Sequence, residues 1–203
     1  MSRKVKAILA GGLVLGIGAA VTLAAWNDSE FVSGQFAAGT FNLEGSTTSA
    51  TENFTDHSTA GTAAVVFDLS EYGNVSPEEV LYEPFWVRLA ADTTSGATLN
   101  LAGVTAGDIA DYPNNAHLSY AIYRLAAVDT LCNAAGVADD AVLIGSGTDL
   151  EDATAVAPSA LAIGSPTTVA GEALNLCFVV TAADTLLQGG DASTTWEFEA
   201  VSN

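Results

Sequence analysis

Positive charge is what this chain has least of. Five Lys and Arg stand against 24 Asp and Glu, a formal charge of -19. Three of the five, Arg3, Lys4 and Lys6, precede an apolar run, and beyond it only Arg88 and Arg124 remain. A body so poor in Lys and Arg has no means of gripping phosphate, so nucleic acid and anionic lipid headgroups are excluded as partners. Its acidity serves solubility and also suits a salty exterior. Histidine is nearly as scarce: His57 lies in a polar stretch, His117 opens a strand-like run, and neither belongs to the H-E-x-x-H pair that holds zinc on a helix face. Both are read as ordinary surface residues. A G-x-S-x-G elbow and a phosphate-cradling glycine loop are missing too, so no catalytic residue, cofactor site or metal site is predicted, and the chain is read as a non-enzyme.

Long amphipathic helical patterns are also missing, while strand-like runs abound: Ala63 to Leu69, Val80 to Ala90, Ala97 to Val104, His117 to Leu125, Ala141 to Ile144, Ala173 to Thr181 and Ser193 to Val201. Leu174, Leu176, Phe178 and Val180 share one face by alternation, and Trp196, Phe198 and Ala200 oppose Glu197 and Glu199. Half-buried strands in such number predict an all-β fold, an antiparallel β-sandwich. Helical turns are expected only at Val104 to Ala110 and Asp149 to Ala155. With 203 residues, 49% of them hydrophobic, the chain has material for one domain and a targeting segment.

Upstream, Gln35 to Leu43 reads as a further strand with Gly39 in its middle, where a bulge would bring Phe36 and Phe41 to the same face. Gly45 to Gly61, rich in Ser and Thr, reads as loop with a short strand at Asn53 to Thr55. The acidic stretch Gly136 to Asp152 carries Asp139, Asp140, Asp149, Glu151 and Asp152 in a spacing that matches no EF-hand. A solvated charged loop is its default reading, and structural calcium the alternative.

The first residues form an export signal. Met1 to Lys6 is basic, Ala7 to Val21 is apolar and Gly-rich, and Thr22-Leu23-Ala24 supplies small residues where a signal peptidase inspects the chain. Cleavage after Ala24 places Thr22 at the -3 position; cleavage after Ala25 would place bulky Leu23 there. The alternative is an uncleaved anchor, since a spanning helix needs about 20 apolar residues. Against it, four glycines weaken the run and no basic stop-transfer cluster follows. In an exported chain the only two cysteines, Cys132 and Cys177, are read first as a disulfide, with two buried thiols as the other reading.

The Gly-rich run, the junction Thr22, Ala24, Ala25, Trp26, Asn27, Asp28 and the block Phe36 to Leu43 together resemble the start of the TasA and camelysin family, in its actinobacterial-like branch. The resemblance implies a leader handled by a SipW-type signal peptidase, a jelly-roll domain and a mature N-terminal segment that serves as donor strand to the next subunit of a biofilm fibre. On that expectation the chain divides into a signal peptide at 1–24, a donor-strand-like segment with the first strand at 25–45, and a β-sandwich at 46–203. Trp26, Phe31 and Phe36 would be the polymerisation anchors, because aromatic rings supply most of the area so short a segment can bury. Self-association into filaments and location at the cell surface or in the extracellular matrix follow from it, with membrane contact only through the uncleaved leader. The rivals are a monomeric surface adhesin and a camelysin-like metalloprotease, although the zinc motif of the latter is missing.

Overall fold

Alternating sequence becomes strand wherever both faces of a residue pair find cover. The computed structural model describes residues 39–57, 75–107 and 113–203, all within the compact unit Ala38–Asn203. The strands among them are β1 (Leu43–Ser46), β2 (Val80–Leu89), β3 (Ala97–Ala106), β4 (Leu118–Arg124), β5 (Val142–Gly147), β6 (Thr154–Ala155), β7 (Ser159–Leu161), β8 (Leu174–Ala182) and β9 (Thr194–Ser202). They form a six-stranded sheet in the order β1-β2-β8-β4-β5-β6 and a three-stranded sheet in the order β7-β3-β9. Every ladder is antiparallel. The expected all-β architecture of antiparallel sheets is therefore present.

Period-two patterning places the core. Leu81, Phe85, Val87 and Leu89 of β2, Leu118, Tyr120 and Ile122 of β4, and Leu176, Phe178 and Val180 of β8 are buried together with Ala97, Leu99 and Leu101 of β3. Each fully buried Leu or Phe of this set contributes about 1.5–3 kcal/mol relative to exposure. Register aligns the layers: Ile122 stands opposite Phe178, and Phe85 opposite Leu176. Across the sheets, Trp196 meets Phe178 edge-on at 4.9 Å and Tyr120 at 5.5 Å, while Phe198 lies 6.0 Å from Phe178 and 6.3 Å from Phe85. Tilted and edge-to-face pairs suit the ring quadrupole and add to the area they bury. The alternation read in β8 and β9 is thus realised in both strands.

β8 is also covered on its outer face. Cys177 is fully buried and bonded to Cys132, with a Cα separation of 5.2 Å. The loop that carries Cys132 follows β4 and is held down by side chains as well: Asn175 Nδ2 donates to the carbonyls of Val128 (3.1 Å) and Thr130 (2.8 Å), and Trp86 Nε1 donates to Val128 O (3.0 Å). A short helix, α1 (Ala134–Ala138), closes the lobe, its first turn capped by Asn133, whose Oδ1 accepts from Gly136 N at 2.9 Å.

Several local expectations are corrected. Of the strand expected at Gln35 to Leu43, residues 35–38 lie outside the described residues, Gly39 to Asn42 are not strand, so Gly39 is no bulge, and β1 starts at Leu43. The carbonyls of Thr40 and Asn42 accept from Thr94 N and Ala90 N, each at 3.0 Å, so this stretch is fastened to the turn after β2. A Cβ at Gly39 would overlap Thr94 Oγ1, which gives that glycine a different purpose. The loop expected from Gly45 starts after Ser46, because β1 runs through both residues. Val104 to Ala106 is strand rather than helical turn, since Val104 pairs with Trp196 across the sheet. Asp149 to Ala155 is a turn followed by β6, with the Leu150 amide bonded to the Asn115 carbonyl instead of to a helix of its own. His117 ends a 3-10 turn, Asn115–His117, and β4 starts one residue later. Register shifts, expected at Gly39, occur instead between Leu101 and Gly103 and between Ile122 and Tyr123.

Candidate functional site

The expectation of strand addition directs attention to the sheet edges, and the edges of this fold are dressed very differently. At the β1 edge, Gly45 and Thr55 exchange two backbone hydrogen bonds of 3.0 Å, which satisfies the middle of the strand. The loop that returns Thr55 is nailed at both ends. Ser46 Oγ donates to Glu52 O at 2.7 Å and accepts from Thr48 N. Arg88 pairs with Glu44 at 2.5 Å and lays its guanidinium 3.8 Å from the Phe54 ring centroid. A cation over an aromatic face and an ion pair on one guanidinium hold β1, β2 and the loop as a unit. Gly45 itself is required: a Cβ there would strike the Phe85 ring.

The other edges are short, with one exception. β6 has two residues and β7 three. β9 has nine, bonds to β3 along one side, and carries no strand on the other among the described residues. Its inward row, Trp196, Phe198 and Ala200, packs on the core; its outward row, Thr195, Glu197, Glu199 and Val201, is exposed. A long strand edge is a template for pairing with another chain, and charged side chains such as Glu197 and Glu199 are one device that discourages indiscriminate pairing there.

Tyr120 joins the two sheets beneath β9. Its hydroxyl donates to Asp152 O at 2.9 Å, and its phenol is pushed up to about 12, mainly by burial. A hydrogen bond with Trp196 pulls the other way, and the Asp152 and Asp149 carboxylates add to the rise. The acidic stretch has further local uses: Asp149 Oδ1 accepts from Glu151 N at 2.8 Å. His57 Nε2 bonds Thr55 Oγ1 at 2.9 Å and His117 Nδ1 bonds Thr185 Oγ1 at 3.0 Å, so each imidazole serves its own neighbourhood. Among the described residues no group of three His, Cys, Asp or Glu could hold a metal ion.

The expected cleavage residues Ala24 and Ala25, the leader 1–24, the anchors Trp26, Phe31 and Phe36, and the strand-like run Ala63 to Leu69 lie outside the described residues. Cys132 and Cys177 come together as expected. Such a bond suits an oxidising environment, and among the described residues no helix is long and apolar enough to cross a membrane. The component of the site that sequence reasoning misses is the β9 edge: its alternation is legible, but the strand's place at the margin of a sheet depends on neighbours far away in sequence. Neither a protein-family model nor a curated protein sequence matches the chain.

Proposed function

We propose that the chain is an exported structural protein of the cell surface or extracellular matrix, a TasA-like fibre subunit that assembles by donor-strand exchange. The observation that carries the reading is the nine-residue β9 edge, bare of strand among the described residues, in a sheet of three strands facing one of six. In this reading a SipW-type peptidase cuts after Ala24 or Ala25, and the freed segment with Trp26, Phe31 and Phe36 adds to that edge on another copy. Backbone hydrogen bonds supply affinity, and alternate side chains supply specificity. The contact is heterologous, joining a tail to a sheet, so it builds open filaments instead of closed rings. The insertion of β8 between β2 and β4, with β7 beside β3, supports a jelly-roll winding of the sandwich.

The disulfide supports a destination outside the reducing cytosol. Electron microscopy of the secreted, processed protein tests the reading: fibres are expected, and they should vanish when Ala25 to Gly34 is deleted. Unchanged monomers in both samples would favour the rival, a monomeric surface adhesin. N-terminal sequencing of the same material checks the cut, and a retained leader would end the proposal.

A further inference from the structure

Filaments of this chain face a charge problem. Beyond the leader each copy carries 24 carboxylate side chains against two arginines and no lysine, so copies brought end to end repel one another. Of the two arginines, Arg88 is engaged: its guanidinium holds Glu44 and covers Phe54. Arg124 forms no ion pair among the described residues. Arg124 is therefore the one cation of the described domain whose charge no carboxylate has taken up.

Its placement is unusual. Strand alternation puts Arg124 on the same face as Leu118, Tyr120 and Ile122, at the end of β4 and opposite the fully buried Leu176. There it lines a cleft of about 250 Å³ walled by Leu125, Ala126, Ala127, Ala160 and Leu174. Glu172, also on the wall, is exposed and forms no ion pair with it. A half-buried guanidinium is screened less than one at an open surface, so a carboxylate that displaces the exposed Glu172 side chain from the mouth of the cleft gains more there than in open water. Ligand pockets usually hold roughly 300–1,000 Å³, and this cleft falls below that range but has room for one acidic side chain.

We infer that the Arg124 cleft receives an Asp or Glu carboxylate from a second copy of the chain, giving the assembly a direct contact between opposite charges. The inference rests on the self-association reading. Its role is that of an interface residue: it fixes how successive copies meet and offsets part of their repulsion.

The test uses the processed full chain and its Arg124→Glu, Arg124→Gln and Arg124→Lys variants, compared by sedimentation and electron microscopy at low and high salt. Circular dichroism and an intact disulfide establish that each is folded. At low salt the concentration needed for assembly should rise by about tenfold or more in Arg124→Glu and Arg124→Gln, as truncating one side of a partly buried charge pair does, while Arg124→Lys stays near wild type. Salt should shrink the gap, because screening weakens the attraction between Arg124 and the incoming carboxylate that only the wild type and Arg124→Lys enjoy. Assembly of Arg124→Glu at the wild-type concentration, or loss in Arg124→Lys equal to that in Arg124→Glu, overturns the inference and leaves the filament reading intact. A wild-type protein that stays monomeric removes the filament reading and the inference with it.

Discussion

The two sheets of this sandwich are finished in opposite ways. The six-stranded sheet is fastened at β8 and along its β1 edge: a disulfide lobe covers the outer face of β8, Thr55 caps the middle of β1, and an arginine clamps the loop that brings Thr55 there, while the opposite edge is the two-residue β6. The three-stranded sheet has none of these fastenings along β9, whose outer row is exposed and whose far edge has no strand among the described residues. On the proposed fibre reading, stability and interaction would fall to different parts of one small fold. A sheet whose own surfaces are sealed can hold a neighbour's open edge in shape, because the aromatic layer of Phe85, Tyr120, Phe178, Trp196 and Phe198 ties the two together.

The contrast can be broken most forcefully at the disulfide. Replacing Cys132 and Cys177 together by Ala should cost about 4 kcal/mol by the chain-entropy estimate for a 45-residue separation. Denaturant midpoints would read the loss, and hydrogen exchange should show it first in the lobe at Val128 and Thr130, whose carbonyls Asn175 holds. A loss below about 1 kcal/mol would mean that the side-chain bonds to Asn175 and Trp86 hold the lobe without covalent help.

Next in size is Gly45→Ala. The new methyl would overlap the Phe85 ring, and either β1 or the ring must move, at a cost of about 1–3 kcal/mol. Because Phe85 also touches Phe198, part of the disturbance should reach β9 and speed hydrogen exchange there as well as in β1. Unaltered exchange in both strands, or no change in the unfolding midpoint, would contradict this packing.

How much of the molecule is legible in its sequence follows from how local each signal is. β8 and β9 are readable because Leu176, Phe178 and Val180, or Trp196, Phe198 and Ala200, repeat with period two over a whole strand. The disulfide is readable because a chain whose start reads as an export signal and which holds two cysteines leaves one pairing. The start of β1 is not: Phe36 to Leu43 has a strand's composition, but the hydrogen bonds of Thr40 and Asn42 go to the turn at Ala90 and Thr94, about fifty residues away. Val104 to Ala106 looks helical for a related reason, since its strand state comes from pairing with Thr194, Thr195 and Trp196. α1 does leave a signal in Asn133, a good N-cap ahead of an alanine-rich run, but five residues are too few for periodicity to show. The Arg124 cleft leaves none: its meaning comes from what surrounds the residue.

The smallest effect at neutral pH, and the finest probe of how the sheets differ, is at Tyr120. Burial, chiefly, raises its folded-state value from 10.0 to about 12. For a group raised on folding, the stabilisation is fully present below the unfolded value and is lost as pH climbs through the folded one. Stability should therefore be insensitive to this residue up to about pH 10 and fall between there and about pH 12, the window set by those two values. Tyr120→Phe removes that alkaline loss and at neutral pH forfeits the hydroxyl's bonds to Asp152 O and Trp196, about 1 kcal/mol each. Since Tyr120 abuts Trp196, ionisation should loosen β9 before the disulfide lobe, and hydrogen exchange across the alkaline window would show which yields first. Were the lobe to open ahead of β9, the six-stranded sheet would be the weaker of the two despite its fastenings, and the division of labour between the sheets would be reversed.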